Sequence, residues 1–327
     1  MKRMALALAT LAVVLSGVSP SCSARGDSVI LAYSPFESTA LMWIAEDQRF
    51  FAGNGLDVSL RKYDTGGASL DAVLKGEADV TLGVSEFPVV GRAFRDEKMC
   101  ILGNASKAEF IYLVGRRDRG IVKLSDLKGK RVGTTFGSIS EFYLGRLLQL
   151  NGLKMSDIVL VDLKTPPEWV NAVAEGDIDA VVTAQPYANA ARERLGANAV
   201  SWPAQSGQLL YGLIVSTDVW VAEHPELASR LLRSLAQAED YAIRNPAESK
   251  AIVGEGLDLD AAYMDMVWSQ SQFGLSLDLS LILAMEDEAR WLIATGLAPQ
   301  KQVPDFLAYI CEDPLKAMKP EAVNIIR

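Results

Sequence analysis

A single histidine, His224, stands in a chain of 327 residues that also has only three cysteines. It lies in Glu223-His224-Pro225, at a predicted helix start, and reads as a solvated surface residue. A His-based catalytic triad therefore lacks its base, and a zinc site of ordinary His/Cys spacing lacks its ligands. The phosphate loop G-x-x-x-x-G-K-[ST], the dinucleotide pattern G-x-G-x-x-G and the nucleophile pattern G-x-S-x-G are all missing. Beyond the N-terminal segment no apolar run reaches the length of a membrane-spanning helix. Positive charge is also short: 32 Lys and Arg stand against 41 Asp and Glu, a net charge of −9. No basic patch with interleaved aromatics occurs, so nucleic acid is not an expected partner. Carboxylates are plentiful, but spacing singles out no pair for acid–base work. The sequence therefore predicts no catalytic residues, no metal site, no cofactor and no enzymatic activity.

What is present begins with the N-terminus. Lys2 and Arg3 precede an apolar run from Met4 to Val18, followed by the small residues Ser19, Ser21, Ser23 and Ala24. That order predicts a secretory signal peptide over 1–24 and hence an exported protein. Removing it takes two basic residues and no acid, leaving the mature chain more acidic still. Cys22 sits where a bacterial lipoprotein carries its acylated cysteine, but Val18-Ser19-Pro20-Ser21 is a poor lipobox. Cleavage after Ala24 and lipidation of Cys22 both stay open. Cys100 and Cys311 remain in either case, and sequence alone does not place them within bridging distance. A content of 50% hydrophobic and 22% charged residues is that of a globular protein, and the length allows two lobes with separate cores.

The chain is organised around 130–153. Arg131 to Thr134 reads as a buried strand, Phe136-Gly137-Ser138 as a tight turn, and Glu141 to Asn151 as a helix that starts at Ser138. Ser138 and Glu141 have capping-box spacing. Such a start directs free backbone N–H groups and the positive end of the helix dipole at one point, where a polar or anionic group can bind. The pattern also recurs. In the first half, a strand at 28–36, a helix at 39–51, a strand at 57–62, a short helix at 69–75 and a strand at 78–84 follow one another. The second half repeats this with a strand at 131–134, its helix, a strand at 158–163, a helix at 167–174 and a strand at 178–184. Asn54-Gly55-Leu56 returns as Asn151-Gly152-Leu153, and Ala72-Val73, Gly76 and Asp79 return as Ala172-Val173, Gly176 and Asp179. Two strand–helix–strand–helix–strand units predict an α/β protein with two similar doubly wound lobes. Phe110 to Arg116 and Leu209 to Ser216 read as the two crossover strands. The expected division is lobe 1 at 28–114 and 216–327, and lobe 2 at 115–215. From Asp218 the chain turns helical.

Four segments carry a family resemblance: SVILAYSPFESTALMWIAEDQRFFAGNGLDVSL, LKGKRVGTTFGSISEFYLGRLLQLNGL, VNAVAEGDIDAVVTAQPYANAA and VSTDVWVAEHPELASRLLRSLAQAEDYAIRNPAESKAIV. Together, over roughly 28–255, they resemble the periplasmic solute-binding proteins of the nitrate, taurine, alkanesulfonate and thiamine-pyrimidine-precursor group. The resemblance implies a type II periplasmic-binding fold, a monomer that captures a small solute by closure of an interlobe cleft, and delivery to an ABC permease with its ATPase. The location would be the periplasm, or the outer face of the membrane if Cys22 carries a lipid anchor. By position, the cleft would be built from Pro35, Phe36, Gly66, Gly67, Ser85 and Glu86 of lobe 1. Lobe 2 would add Gly137, Ser138, Ile139, Ser140, Gln185 and Tyr187, and the second crossover Tyr211. No arginine falls at these positions, and Glu86 and Glu141 bring negative charge. The expected solute is therefore neutral or amine-bearing, such as a flat heterocycle of the thiamine-pyrimidine-precursor kind. The alternatives are an alkanesulfonate, taurine or nitrate-type anion binder, or an exported enzyme or signalling receptor on the same scaffold. Fungal thiamine-pyrimidine enzymes of this fold use a histidine and a cysteine-rich motif that this chain lacks.

Overall fold

The computed structural model describes residues 27–326; the predicted signal peptide and Cys22 lie outside the described residues. Eleven strands form among these residues: β1 (Asp27–Tyr33), β2 (Leu56–Lys62), β3 (Val80–Val84), β4 (Cys100–Ala108), β5 (Ile111–Arg116), β6 (Arg131–Thr134), β7 (Val159–Asp162), β8 (Ala180–Ala184), β9 (Ala199–Pro203), β10 (Leu210–Ser216) and β11 (Ser271–Ser276). They make a six-stranded sheet ordered β11-β4-β10-β3-β1-β2 and a five-stranded sheet ordered β7-β6-β8-β5-β9. The repeat is visible in the pairing. In lobe 1, β2, β1 and β3 run parallel and meet an antiparallel β10; in lobe 2, β7, β6 and β8 run parallel and meet an antiparallel β5. The strands β3 (VTLGV) and β8 (AVVTA) are buried along their whole length, as central strands covered on both faces must be.

The repeated residues do the same work twice. Asp79 Oδ2 accepts the N–H of Ile30 at 2.7 Å, and Asp179 Oδ2 accepts that of Arg131 at 2.9 Å. Each carboxylate thus ties the entry of the third strand to the first strand of its unit. Gly76 and Gly176 end the preceding helices at φ 73° and 92°, a left-handed conformation that glycine adopts without a Cβ penalty.

The division between lobes falls a few residues from the expected 114/115 and 215/216. All of β5 pairs with β8 and β9, and all of β10 pairs with β3 and β4. The chain therefore crosses at 109–110 and 204–209, because a strand belongs to the sheet that satisfies its backbone. Buried Gln205 joins the two crossings. Its Oε1 accepts the N–H groups of Phe110 and Ile111 at 2.6 and 2.8 Å, and its Nε2 donates to Ala108 O at 3.1 Å. The helix Leu279–Thr295 lies outside the repeat and packs lobe 1 against lobe 2. Trp291 sits 5.6 Å from Phe142 and 5.9 Å from Phe87, ring centre to ring centre. Cys100 and Cys311 form a disulfide with Cα atoms 5.6 Å apart, which fastens the C-terminal segment to β4.

Candidate functional site

Three helices start just beyond the carboxyl ends of parallel strands and point their first turns into one space. Gly66–Leu74 follows β2, Glu86–Ala93 follows β3, and Ile139–Leu150 follows β6. Their N-caps are Thr65, Ser85 and Ser138. The first N–H groups of a helix have no acceptor within it, and the dipole leaves them partly positive. Between these starts lies a cavity of about 560 Å³ with residues of both sheets on its wall. This is the carboxyl-end crevice where open α/β sheets take ligands.

Glycine allows the close approach. A Cβ on Gly66 would lie 3.2 Å from the Val84 Cα, and one on Gly83, at φ 84°, would lie 2.8 Å from the Ser38 Oγ. At the lobe 2 helix the predicted capping box does not form. Glu141 Oε2 accepts the N–H of Gly137 at 2.7 Å, while the Ser138 hydroxyl donates to Thr135 O at 2.6 Å instead of capping. Burial holds the Glu141 carboxyl above its ordinary range.

Of the expected site residues, Phe36, Gly66, Gly67, Ser85, Gly137, Ser138, Ile139 and Ser140 are on the cavity wall. Pro35, Glu86, Gln185, Tyr187 and Tyr211 are not. Glu86 turns inward and is fully buried. Its Oε2 accepts the N–H of Tyr211 at 3.1 Å, and it faces Glu288 of the helix Leu279–Thr295. Burial raises Glu86 to about 7 and Glu288 well above the carboxylate range. Two buried carboxyls facing each other with no cation between them do not both ionise, so Glu288, the more strongly raised of the two, keeps its proton. Gln185 is spent on Asn189, at 3.1 Å to its side chain and 3.1 Å to its N–H. The Tyr211 hydroxyl pairs with Ser280 at 3.0 Å. Tyr187 stands behind the wall, edge-on to Phe36 at 6.0 Å and to Trp169 at 5.4 Å, and so sets both rings without lining the space.

The wall also holds Phe136 of the lobe 2 turn, together with residues that the sequence does not single out: Asp71, Arg92 and Arg95 on lobe 1, and Lys164 and Trp169 on lobe 2. The expectation of no arginine at the cleft is corrected by the helix Glu86–Ala93, which carries Arg92 and leads to Arg95. Phe87-Pro88-Val89-Val90 hid that helix, because proline reads as a breaker although it is tolerated in a first turn. Ser85 followed by Glu86 was the available signal for its start. Arg92 donates through Nε at 3.1 Å and Nη2 at 2.5 Å to Asp71 Oδ1. Lys164 pairs with Asp162, whose Oδ1 also accepts the Phe136 N–H at 3.1 Å. The Trp169 Nε1 donates to Thr135 Oγ1 at 3.0 Å, which holds the indole at the wall. His224 lies against Trp220 at 5.4 Å, on the helix pair after β10 and away from the cavity. Among the described residues no three His, Cys, Asp or Glu side chains are grouped to hold a metal ion.

Comparison with known proteins gives this geometry a family. The family model described as NMT1/THI5 like matches residues 37–249. The taurine-binding periplasmic protein of Escherichia coli (strain K12) is 27% identical over 231 residues, 68% of this chain and 69% of that protein. The 4-amino-5-hydroxymethyl-2-methylpyrimidine phosphate synthase of Aspergillus parasiticus is 23% identical over 222 residues, 64% of each chain. Among solved structures, the alkanesulfonate-binding protein from Xanthomonas axonopodis pv. citri bound to MOPS superposes with a TM-score of 0.75 at 19% identity, covering 87% of this chain and 98% of that one. The family match runs from just after β1 through the rest of both repeat units and both crossings between them, and the two lobes share the architecture of that sulfonate-binding structure. The chain belongs to the NMT1/THI5-like family and has the periplasmic-binding fold.

Proposed function

We propose that the protein is the extracytoplasmic receptor of an ABC importer, not an enzyme, and that it captures a small organic anion with an apolar body in the interlobe cavity. The observation that carries this reading is the make-up of the wall. Arg92 and Arg95 from lobe 1 and Lys164 from lobe 2 line one cavity with three helix starts, beside Phe36, Phe110, Phe136 and Trp169. Glu86, on which a cationic or amine-bearing solute depended, is turned away and buried. The relatives named as taurine-binding and alkanesulfonate-binding support a sulfonate as the anionic group.

Contacts to both lobes make closure and binding one event. A ligand shifts the open–closed equilibrium only by its difference in affinity for the two forms, so the helix start at Ile139 and the Arg92 wall must both touch it. A permease with its ATPase is the partner this role requires. Export belongs to the same proposal, either with cleavage after Ala24 or with processing ahead of Cys22 and a lipid anchor there. The test is thermal denaturation of the mature protein against a panel of alkane- and arenesulfonates, carboxylates, amines and pyrimidines. A ligand that binds only the folded state raises the melting temperature by mass action. Stabilisation by sulfonates with no response to amines supports the reading; the reverse pattern refutes it. A pyrimidine response alone would favour a flat heterocycle held between the aromatic walls.

A further inference from the structure

The charges on the wall carry the anion reading one step further, to the number of charges the ligand bears. A wall cation attracts a ligand only as far as it is not already neutralised. Here each one has a carboxylate partner: Arg92 has Asp71, Arg95 has Glu97 at 3.7 Å, and Lys164 has Asp162. Asp71 is itself on the cavity wall, 42% exposed at its side chain, so a ligand feels its charge directly. What remains is the field of the helix starts, each equivalent to roughly half a positive charge. One of these, at Ile139–Leu150, is further offset by Glu141 on the Gly137 N–H. That field matches one negative charge. A second charge on the ligand would meet no unpartnered cation on the wall and would be opposed by Asp71.

Resting on the organic-anion reading above, we infer that the cleft selects singly charged anions over doubly charged ones, and that Asp71 is the residue that sets the limit. Asp71 has two effects that substitution separates. Its Oδ1 accepts both Arg92 donors and so fixes the guanidinium; its charge repels a dianion. Asp71→Asn keeps the acceptor oxygen and removes the charge, whereas Asp71→Ala removes both.

The probes are benzenesulfonate, a monoanion throughout, and phenyl phosphate, whose second pKa of about 6 makes it a monoanion near pH 5 and a dianion near pH 8. Calorimetry on the mature protein should show benzenesulfonate affinity holding between the two pH values while phenyl phosphate weakens at least tenfold at the higher one. This comparison needs no variant. Asp71→Asn should tighten dianionic phenyl phosphate by about tenfold and benzenesulfonate by only about threefold. Asp71→Ala should weaken benzenesulfonate, because Arg92 is released. Equal or tighter binding of the dianion, or an Asp71→Asn effect identical for both probes, would overturn the inference and leave the anion reading standing. Binding of neither probe would remove the anion reading itself, and the inference with it.

Discussion

Stability should rise, not fall, as pH drops from about 8 to about 5. Most proteins lose stability on acidification because native carboxylates are paired and resist protonation. Here two carboxyls do the opposite. Glu37 and Glu86 are fully buried without a cation, and burial raises each from its ordinary 4.5 to about 7; Glu288, beside Glu86, is raised further. The folded protein then holds protons that the unfolded chain has released. With fewer protons bound in the unfolded state, the slope of unfolding free energy against pH is negative across the window from 4.5 to about 7. The cost is absent below that window and fully present above it. Each such shift amounts to about 3 kcal/mol at 1.4 kcal/mol per pKa unit. Allowing for relaxation around the buried groups, a gain of a few kcal/mol on acidification corresponds to a melting temperature higher by roughly 5–10 °C. The assay is circular dichroism melting at constant ionic strength from about pH 5 to about pH 8, on wild type and on Glu86→Gln and Glu288→Gln. Tyr143, Tyr211 and Asp287 are the other titratable side chains around the pair, and the tyrosines, pushed upward by burial, stay neutral throughout. The variants should flatten the slope. A wild-type melting temperature that is flat or rises with pH would refute the argument, as would variants with an unchanged slope.

Gly145→Ala should destabilise the contact between lobes, since a Cβ there would lie 2.3 Å from the Trp291 ring; urea denaturation should show a loss of about 1–3 kcal/mol, and Trp291→Ala in the same background should recover part of it. Gln205→Ala strands the N–H groups of Phe110 and Ile111 at the crossing, with an expected loss of about 2–4 kcal/mol in the same assay and a changed scattering radius for the unliganded protein. Asp79→Ala and Asp179→Ala should cost similar amounts, about 1–2 kcal/mol each, because both accept one strand N–H. Reduction of the Cys100–Cys311 disulfide, which spans a sequence separation of 211, should cost about 2–5 kcal/mol, read by melting with and without reductant.

What was legible in the sequence follows a physical divide. The two βαβ units are dictated locally: buried parallel strands need apolar runs, their helices need caps, and Gly55, Gly76, Gly152 and Gly176 each take a positive φ where a helix ends. Such signals repeat whenever the unit repeats, so two copies could be aligned. The strands β4, β9 and β11 escaped detection because their identity is set by partners far along the chain. β4 lies between β10 and β11 and answers to their registers, not to a turn of its own. The pairing of Cys100 with Cys311 is decided in the same non-local way, by the backbone bonds that bring Cys311 N–H to Ile101 O at 3.0 Å.

The misreading of Glu86 shows where position along a strand stops being informative about a site. Ser85 and Glu86 are consecutive at the end of β3, and the strand delivers both to the mouth of the cleft. The residue at the N-cap is still extended, so Ser85 stays on the wall. Glu86 is the first helical residue, and its side chain leaves in the direction the helix imposes, here into the interior toward β10 and Glu288. The same rule explains the gain: along that helix Arg92 comes back to the cavity, where Asp71 receives it. A carboxylate was thus moved off the wall and a guanidinium onto it by one unrecognised helix. That single correction moves the proposed solute from neutral or amine-bearing to anionic, which is why the amine arm of the ligand panel is the measurement able to break the functional reading.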